Sequence, residues 1–292
     1  MKDVAKGADS ATDGIESHGL QCMEIWGGHS SVSQAVTTPG LDIRVRSRPY
    51  QGAQFGGDVH YVSLCGAGLI TRLILADVSG HGTTVAESAR SLRDLMRRHI
   101  NRKNQLRLVE ELNKQFAVVD QQGRFATAIV ATYLAHRDEL SLCNAGHPRP
   151  LWYRSRTRQW QIVLSEEAKT PTSVANLPLG ILDSTSYGSA VLTLDPNDLL
   201  LIYTDALTEA HGLNDRMLGE AGLIEMLSSI DGSDPACLLD SLDRALFDFQ
   251  GSRQVQDDLT YLLIHHNGSN PTRLSVIQKL DVYAKVFGLK SV

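Results

Sequence analysis

GGDVHYVSLCGAGLITRLILADVSGHG, residues 56–82, holds two apolar runs joined by a glycine-bearing turn, with an aspartate at the outer end of each run. Segments 59–65 and 72–76 read as strands because β-branched, aliphatic and aromatic side chains dominate them. The turn at 66–69 is short enough to make the pair antiparallel. Pairing Asp58 with Asp77 puts the centre of symmetry between Ala67 and Gly68, inside the turn, so the two carboxylates face each other across the ladder. Like charges directly opposed are destabilising, and a cation between them removes the penalty. Gly56, Gly57, Gly80 and Gly82 flank the pair, where glycine lets backbone approach a ligand closely or take a positive φ.

Outward from this hairpin, further strands are expected at 42–48, 127–134, 140–144, 151–153, 190–194, 199–204 and 259–265. Two long helices follow the hairpin: Val85, Ala89, Leu92, Leu95 and Met96, then Leu106, Val109, Leu112 and Phe116, each form one apolar stripe at helical spacing. A second pair comes late, over 223–230 and then from an Asp234 cap and Pro235 through Leu238, Leu242, Leu246 and Phe249 to Gly251. Short connections such as 136–139 favour antiparallel sheets, and each helix pair has an apolar face with which to cover one sheet. The fold class is α+β.

The opposed pair is not the only gathering of acids. Asp205 follows the apolar run 199–204, and Asp257 with Asp258 precedes the run 259–264. If those strands are antiparallel neighbours, a strand end again meets a strand beginning, and carboxylates collect at one rim. Three or four carboxylates without a nearby histidine or cysteine cluster form a hard-oxygen site suited to magnesium or manganese. Any one of these aspartates alone reads equally well as a turn residue or helix cap.

Composition narrows the function classes. The 292 residues are 42% apolar and 21% charged with a net charge of −5, a soluble globular balance with material for a sizeable core. A pI near 6.0 gives no footprint for nucleic acid. The apolar runs fall far short of the roughly 20 residues needed to span a bilayer, and the first ten residues carry no apolar leader, so a cytoplasmic location is expected. Cys22, Cys65, Cys143 and Cys237 form no CxxC pair and are expected to be core thiols. Residues 1–20 are polar and read as a flexible tail, 21–268 as one domain, and 269–292, with Leu274, Ile277, Leu280, Tyr283 and Phe287 at helical spacing, as an amphipathic appendage.

GGD at 56–58, DVSGHG at 77–82, NAGHP at 144–148, LPLG at 177–180, YTDALTEA at 203–210 and DDLT at 257–260 occur in the order of a known family. The chain resembles the metal-dependent PPM serine/threonine protein phosphatases in their bacterial SpoIIE-like branch, over about residues 41–265. The resemblance implies a four-layer α/β/β/α sandwich, two antiparallel sheets flanked by paired helices. It implies hydrolysis of phosphoserine or phosphothreonine on a protein, using two manganese or magnesium ions. Those ions lower the pKa of a bridging water for in-line attack on phosphorus. Asp77 is then the ligand shared by both ions, with the Val78 carbonyl beside it; Asp58 faces the second ion, and Asp205 with Asp257 holds the first. Asp258 is the alternative to Asp257. In that branch the substrate is often an anti-sigma-factor antagonist.

Some relatives carry a histidine two residues after the bridging aspartate, and this chain has Ser79 there. His81 and His147 read better as structural groups than as acids. Arg44, Arg46 and Arg48 alternate along one strand face; they offer a phosphate-binding comb or a solvated face. Arg97, Arg98, Arg102, Lys103 and Arg107 read as a wet helix end, or as a site for an acidic partner. The competing functions are a scaffold that has the fold but not the activity, whose mark would be lost carboxylates, and a metal nuclease, which would need a basic surface. The two helices over 83–120 start five residues after Val78, so the packing of the first reaches the loop bearing Asp77, and a protein activator or the C-terminal segment is expected to act there.

Overall fold

The computed structural model describes residues 23–65, 68–80, 83–120, 122–164, 175–251 and 256–269. The tail expected over 1–20 lies outside them, as does the expected C-terminal helix from residue 270 on. In chain order the elements are β1 (Met23–Ser30), β2 (Val32–Thr38), β3 (Leu41–Arg48), β4 (Phe55–Cys65), β5 (Ile70–Val78), α1 (Thr83–His99), α2 (Gln105–Val119), β6 (Ala126–Leu134), β7 (Glu139–Ala145), β8 (Leu151–Arg154), β9 (Gln159–Ile162), β10 (Ala190–Thr193), β11 (Leu199–Tyr203), α3 (Gly219–Ser229), α4 (Leu238–Gln250) and β12 (Leu259–His266).

The strands form two six-stranded sheets, β1-β4-β5-β6-β7-β10 and β2-β3-β12-β11-β8-β9. All strand pairings within them are antiparallel. Alternation of side chains sorts the core into three layers. Val59, Tyr61, Ile74, Ala76 and Val78 face α1 and α2. Val62, Leu73, Leu75 and Ile129 meet Ile43, Val45, Leu200, Ile202, Leu262 and Ile264 between the sheets. Leu199, Leu201, Tyr203, Tyr261 and Leu263 pack under α3 and α4. The result is an α+β sandwich of four layers, α/β/β/α. Both faces of each sheet are covered, which is why β11 and β12 are apolar runs without the polar alternation of a half-exposed strand.

Three strands escape the sequence reading. β1 and β2 carry glycines, serines and a histidine where a strand pattern would need a regular apolar face, and β9 is four residues long. The second helix of the late pair starts at Leu238, not at Pro235; Asp234 accepts from the amides of Ala236 (3.0 Å) and Cys237 (3.4 Å) and so caps the turn before it. The cysteines meet the expectation of core thiols only at Cys143 among the described residues. Cys143 is a buried thiol, Cys237 is exposed and Cys65 is disulfide-bonded, while Cys22 lies outside the described residues.

One buried cation ties the first helix pair to its sheet. Arg72, on β5, donates to the carbonyls of Ile100 (2.5 Å) and Arg102 (2.7 Å) at the α1–α2 junction and to the Thr132 hydroxyl (3.1 Å). Burial pushes its guanidinium down to about 10, so it stays charged at neutral pH. Arg72→Met leaves the carbonyls ending α1 without donors and is expected to cost about 3 kcal/mol, read as a lower urea midpoint at unchanged m-value.

Candidate active site

The hairpin β4–β5 pairs Asp58 directly with Asp77, and β5–β6 pairs Asp77 with Thr127. Asp58 shares strand parity with Val62, and Asp77 with Leu73 and Leu75, so both carboxylates project between the two sheets at one rim. On the other sheet, β11 and β12 are paired through Tyr203 and Tyr261. The end of β11 therefore delivers Thr204 and Asp205, and the start of β12 delivers Asp257 and Asp258, to the same rim. Asp77, Asp205, Asp257 and Asp258 stand at or beside strand ends, and Asp58, inside β4, stands where the β4–β5 ladder stops.

Cross-sheet hydrogen bonds close this rim. Asp258 is buried, and its carboxylate accepts the amides of Tyr50 (2.6 Å) and Gly57. It clamps the segment between Tyr50 and Gly57 through one amide on each oxygen. Gly56 is required by this clamp: a Cβ there would lie 2.6 Å from all three carboxylate atoms of Asp258. A Cβ at Gly57 would meet Val85 at 2.7 Å and the Val78 carbonyl oxygen at 3.0 Å, so glycine also keeps that carbonyl uncovered. Asp257 is exposed, and one of its oxygens accepts the Asp258 amide at 2.8 Å.

The electrostatics are those of acids held together against their repulsion. Asp58 is 2% exposed. Its carboxyl is held well above the usual range, chiefly by burial and next by Asp77; the hydroxyls of Thr260 and Thr204 pull the other way. Asp77, half-buried, is pushed up to about 8 by burial and by the charges of Asp205, Asp257, Asp258 and Glu209. Asp205 is raised by burial and by Glu209. Glu209, absent from the sequence reading, sits one helical turn beyond Asp205, and its amide donates to the Asp205 carbonyl at 2.8 Å. Among the described residues no group of three acidic, histidine or cysteine side chains is drawn close enough to enclose a cation as it stands. The acids share a rim without forming a closed cage.

The NAGHP and LPLG segments support this rim from behind. The Asn144 side chain accepts from the His147 amide (2.7 Å) and donates to its carbonyl (2.9 Å), and a Cβ on Gly146, at φ +66, would collide with Pro178. His147 Nδ1 meets the Thr127 hydroxyl at 2.8 Å, and burial pushes the ring down to about 3, so it is neutral. Ser79 exchanges bonds with Phe125, its amide donating to the carbonyl (2.9 Å) and its oxygen accepting the amide (3.2 Å). His81 lies outside the described residues.

The arginine comb has other work. Arg46 pairs with Asp240 (2.6 Å) and with Asp243, and Arg48 also pairs with Asp243. These guanidinium groups point from the outer face of β3 at α4, away from the inter-sheet face that carries Asp58 and Asp77; Arg46 is half-buried there and Arg48 remains exposed. Arg44 shares that strand face and is half-buried. At the helix junction Arg97 pairs with Glu24 (2.5 Å) and Arg102 with Glu111 (3.0 Å), so these two brace the fold.

A four-layer sandwich with acids from both sheets at one rim defines the class of metal-dependent PPM phosphatases. The family model for Stage II sporulation protein E (SpoIIE) matches residues 70–267, and the chain belongs to that family. It is 28% identical over 142 residues to phosphoserine phosphatase RsbP of Bacillus subtilis (strain 168), a match covering 47% of this chain and 33% of RsbP. The chain thus spans about a third of the length of that curated relative. Its fold is similar to the RsbU and RsbW domains of Rv1364c from Mycobacterium tuberculosis, with a TM-score of 0.67 and 25% identity over 88% of this chain and 72% of that one. It is similar also to RsbX in complex with magnesium, with a TM-score of 0.57 and 17% identity over 80% of this chain and 99% of that one.

Proposed function

We propose that this chain hydrolyses phosphoserine or phosphothreonine on a protein, with two divalent cations, manganese or magnesium, held at the shared rim. One observation carries the reading: Asp58 and Asp77 are opposed in register on the inter-sheet face, and Asp58 Oδ1, fully buried, has no hydrogen-bond partner. A buried carboxylate oxygen facing a second carboxylate must bind a proton or a cation. All the donors offered are oxygens, which fits a hard ion. On this reading Asp77 and the Val78 carbonyl, with Asp58, hold one side of the centre, Asp205 and Asp257 the other, while Asp258 fixes the loop beneath. Bound ions supply an acidified water and neutralise charge growing on a phosphoryl group. The rim acids set where those charges sit, and the apolar layer behind Asp58 keeps bulk water out.

The phosphatase unit on this reading spans 21–268, and its substrate is a phosphoprotein, for which the resemblance to the SpoIIE-like branch makes an anti-sigma-factor antagonist our candidate. RsbP is named for phosphoserine, and RsbX is known with magnesium. A protein activator would act through α1, which begins five residues after Val78. Among the described residues no helix is long and apolar enough to cross a membrane.

The test is release of phosphate from a phosphoserine peptide. Burial pushes the Cys143 thiol up to about 12, so it carries no thiolate at neutral pH. Cys143→Ser and Cys237→Ser are therefore expected to keep kcat within about twofold of the parent, on the premise that neither thiol meets the substrate. A folded single-cysteine variant that has lost hydrolysis would mean cysteine phosphatase chemistry instead.

A further inference from the structure

Thr204 stands one residue before Asp205, is fully buried, and bonds across the gap between the sheets. Its Oγ1 accepts the Thr260 amide at 2.9 Å and lies 3.0 Å from Asp58 Oδ2, against 3.5 Å from the Asp258 carbonyl. A hydroxyl has one proton to give. With the Thr260 N–H taking a lone pair, that proton goes to the nearer and charged acceptor, Asp58 Oδ2. The other oxygen of Asp58 is the partnerless one. The hydroxyl thus decides which carboxylate oxygen is satisfied by protein and which is left to face Asp77.

From this we infer that Thr204 is the positioning residue of the metal centre: its hydroxyl locks the Asp58 carboxylate in the orientation that presents Oδ1 to a cation. The inference rests on the metal reading given above. The lock joins one sheet to the other, since Asp58 belongs to β4 and Thr204 follows β11. It therefore also sets the spacing between the Asp58–Asp77 pair and Asp205, acids whose backbones belong to different sheets. Thr260 completes the support: its hydroxyl lies 2.8 Å from Ser47 Oγ and, like that of Thr204, favours the charged form of Asp58. Outer partners of this kind orient a ligand, and their removal weakens metal binding about ten- to hundredfold.

The experiment is calorimetric titration of the full chain with Mn2+ alone, with no phosphoprotein present, for the wild type, Thr204→Val, Thr204→Ala and Thr204→Ser, each checked by its thermal melt. Valine keeps the shape of threonine and removes the hydroxyl; serine keeps the hydroxyl. The expected result is a Kd for Mn2+ raised about ten- to hundredfold in the valine and alanine variants and within about threefold of wild type in the serine variant. In the Asp58→Ala background the Thr204→Val penalty should vanish, because the side chain that its hydroxyl orients is gone. Unchanged affinity in a folded valine or alanine variant overturns the inference, as does a serine variant as weak as valine. If the valine and alanine variants fail to fold while serine folds, Thr204 is a structural residue and the inference is wrong. A wild type that takes up no Mn2+ at all defeats the metal reading itself, an outcome distinct from the others.

Discussion

Asp77→Asn is expected to lower kcat on a phosphoserine peptide by several orders of magnitude and, in the same protein stripped of metal, to raise the melting temperature by a few °C. The loss follows from removing charge where the proposed centre shares a ligand. The gain follows from the raised carboxyl. Asp77 is pushed up to about 8 in the fold against 3.8 for an ordinary aspartate, so the folded protein holds that proton more tightly than the unfolded chain. Its contribution to stability is complete below the unfolded value and is lost as pH rises toward about 8. Asparagine removes the group and the pH dependence with it. Scanning calorimetry in EDTA should show the variant's advantage growing between pH 5 and pH 8; a variant that melts lower than wild type at pH 8 contradicts the account. Stability and activity are opposed at this position because the site assembles charges that the fold alone would keep apart.

Chelation should do to the wild type what substitution does to Asp77. After EDTA treatment and desalting, hydrolysis should fall to the uncatalysed background and return on addition of manganese or magnesium. Protons on Asp58 and Asp77 compete with those ions, since both carboxyls are raised. The metal concentration for half-maximal activity should therefore decrease as pH rises through neutrality toward about 8. Full activity surviving in EDTA would sink the proposed function.

The hairpin was legible because its register depends on where the turn falls, and the turn announces itself: Cys65 pairs with Ile70, which leaves Asp58 opposite Asp77. The late helix pair and the covering of both sheets follow from spacing alone. β1 was not legible, since its residues MEIWGGHS draw their strand character from β4 beside them and not from their own pattern. The difference between Asp257 and Asp258 is equally invisible in one dimension. Adjacent strand-entry residues point to opposite faces, and only the register of β12 shows that Asp258 turns in to the amides of Tyr50 and Gly57. The alternation of Arg46 and Arg48 correctly put them on one face. Their partners, Asp240 and Asp243, needed α4 to be placed over that face, although their i,i+3 spacing was already a hint. Thr204 carried no signal of its own beyond standing next to an aspartate.

The last strand of the described fold is not an edge. β12 lies between β3 and β11, so β3, made early, has no inner neighbour until the ribosome has delivered nearly the whole domain. Such long-range pairing makes folding slow, because the loop must close before the contact rewards it. It also orders the birth of the enzyme. The Asp58–Asp77 hairpin can form while the chain is still emerging, but its counterparts arrive with β11 and β12, and a nascent chain cut before Leu199 would carry that pair without Asp205, Asp257 or Asp258 and with an unpaired hydrophobic seam. Until β12 arrives, β3 and β11 keep apolar edges open to the wrong partner, so the seam that closes the sandwich is also the part of the chain left exposed longest during synthesis.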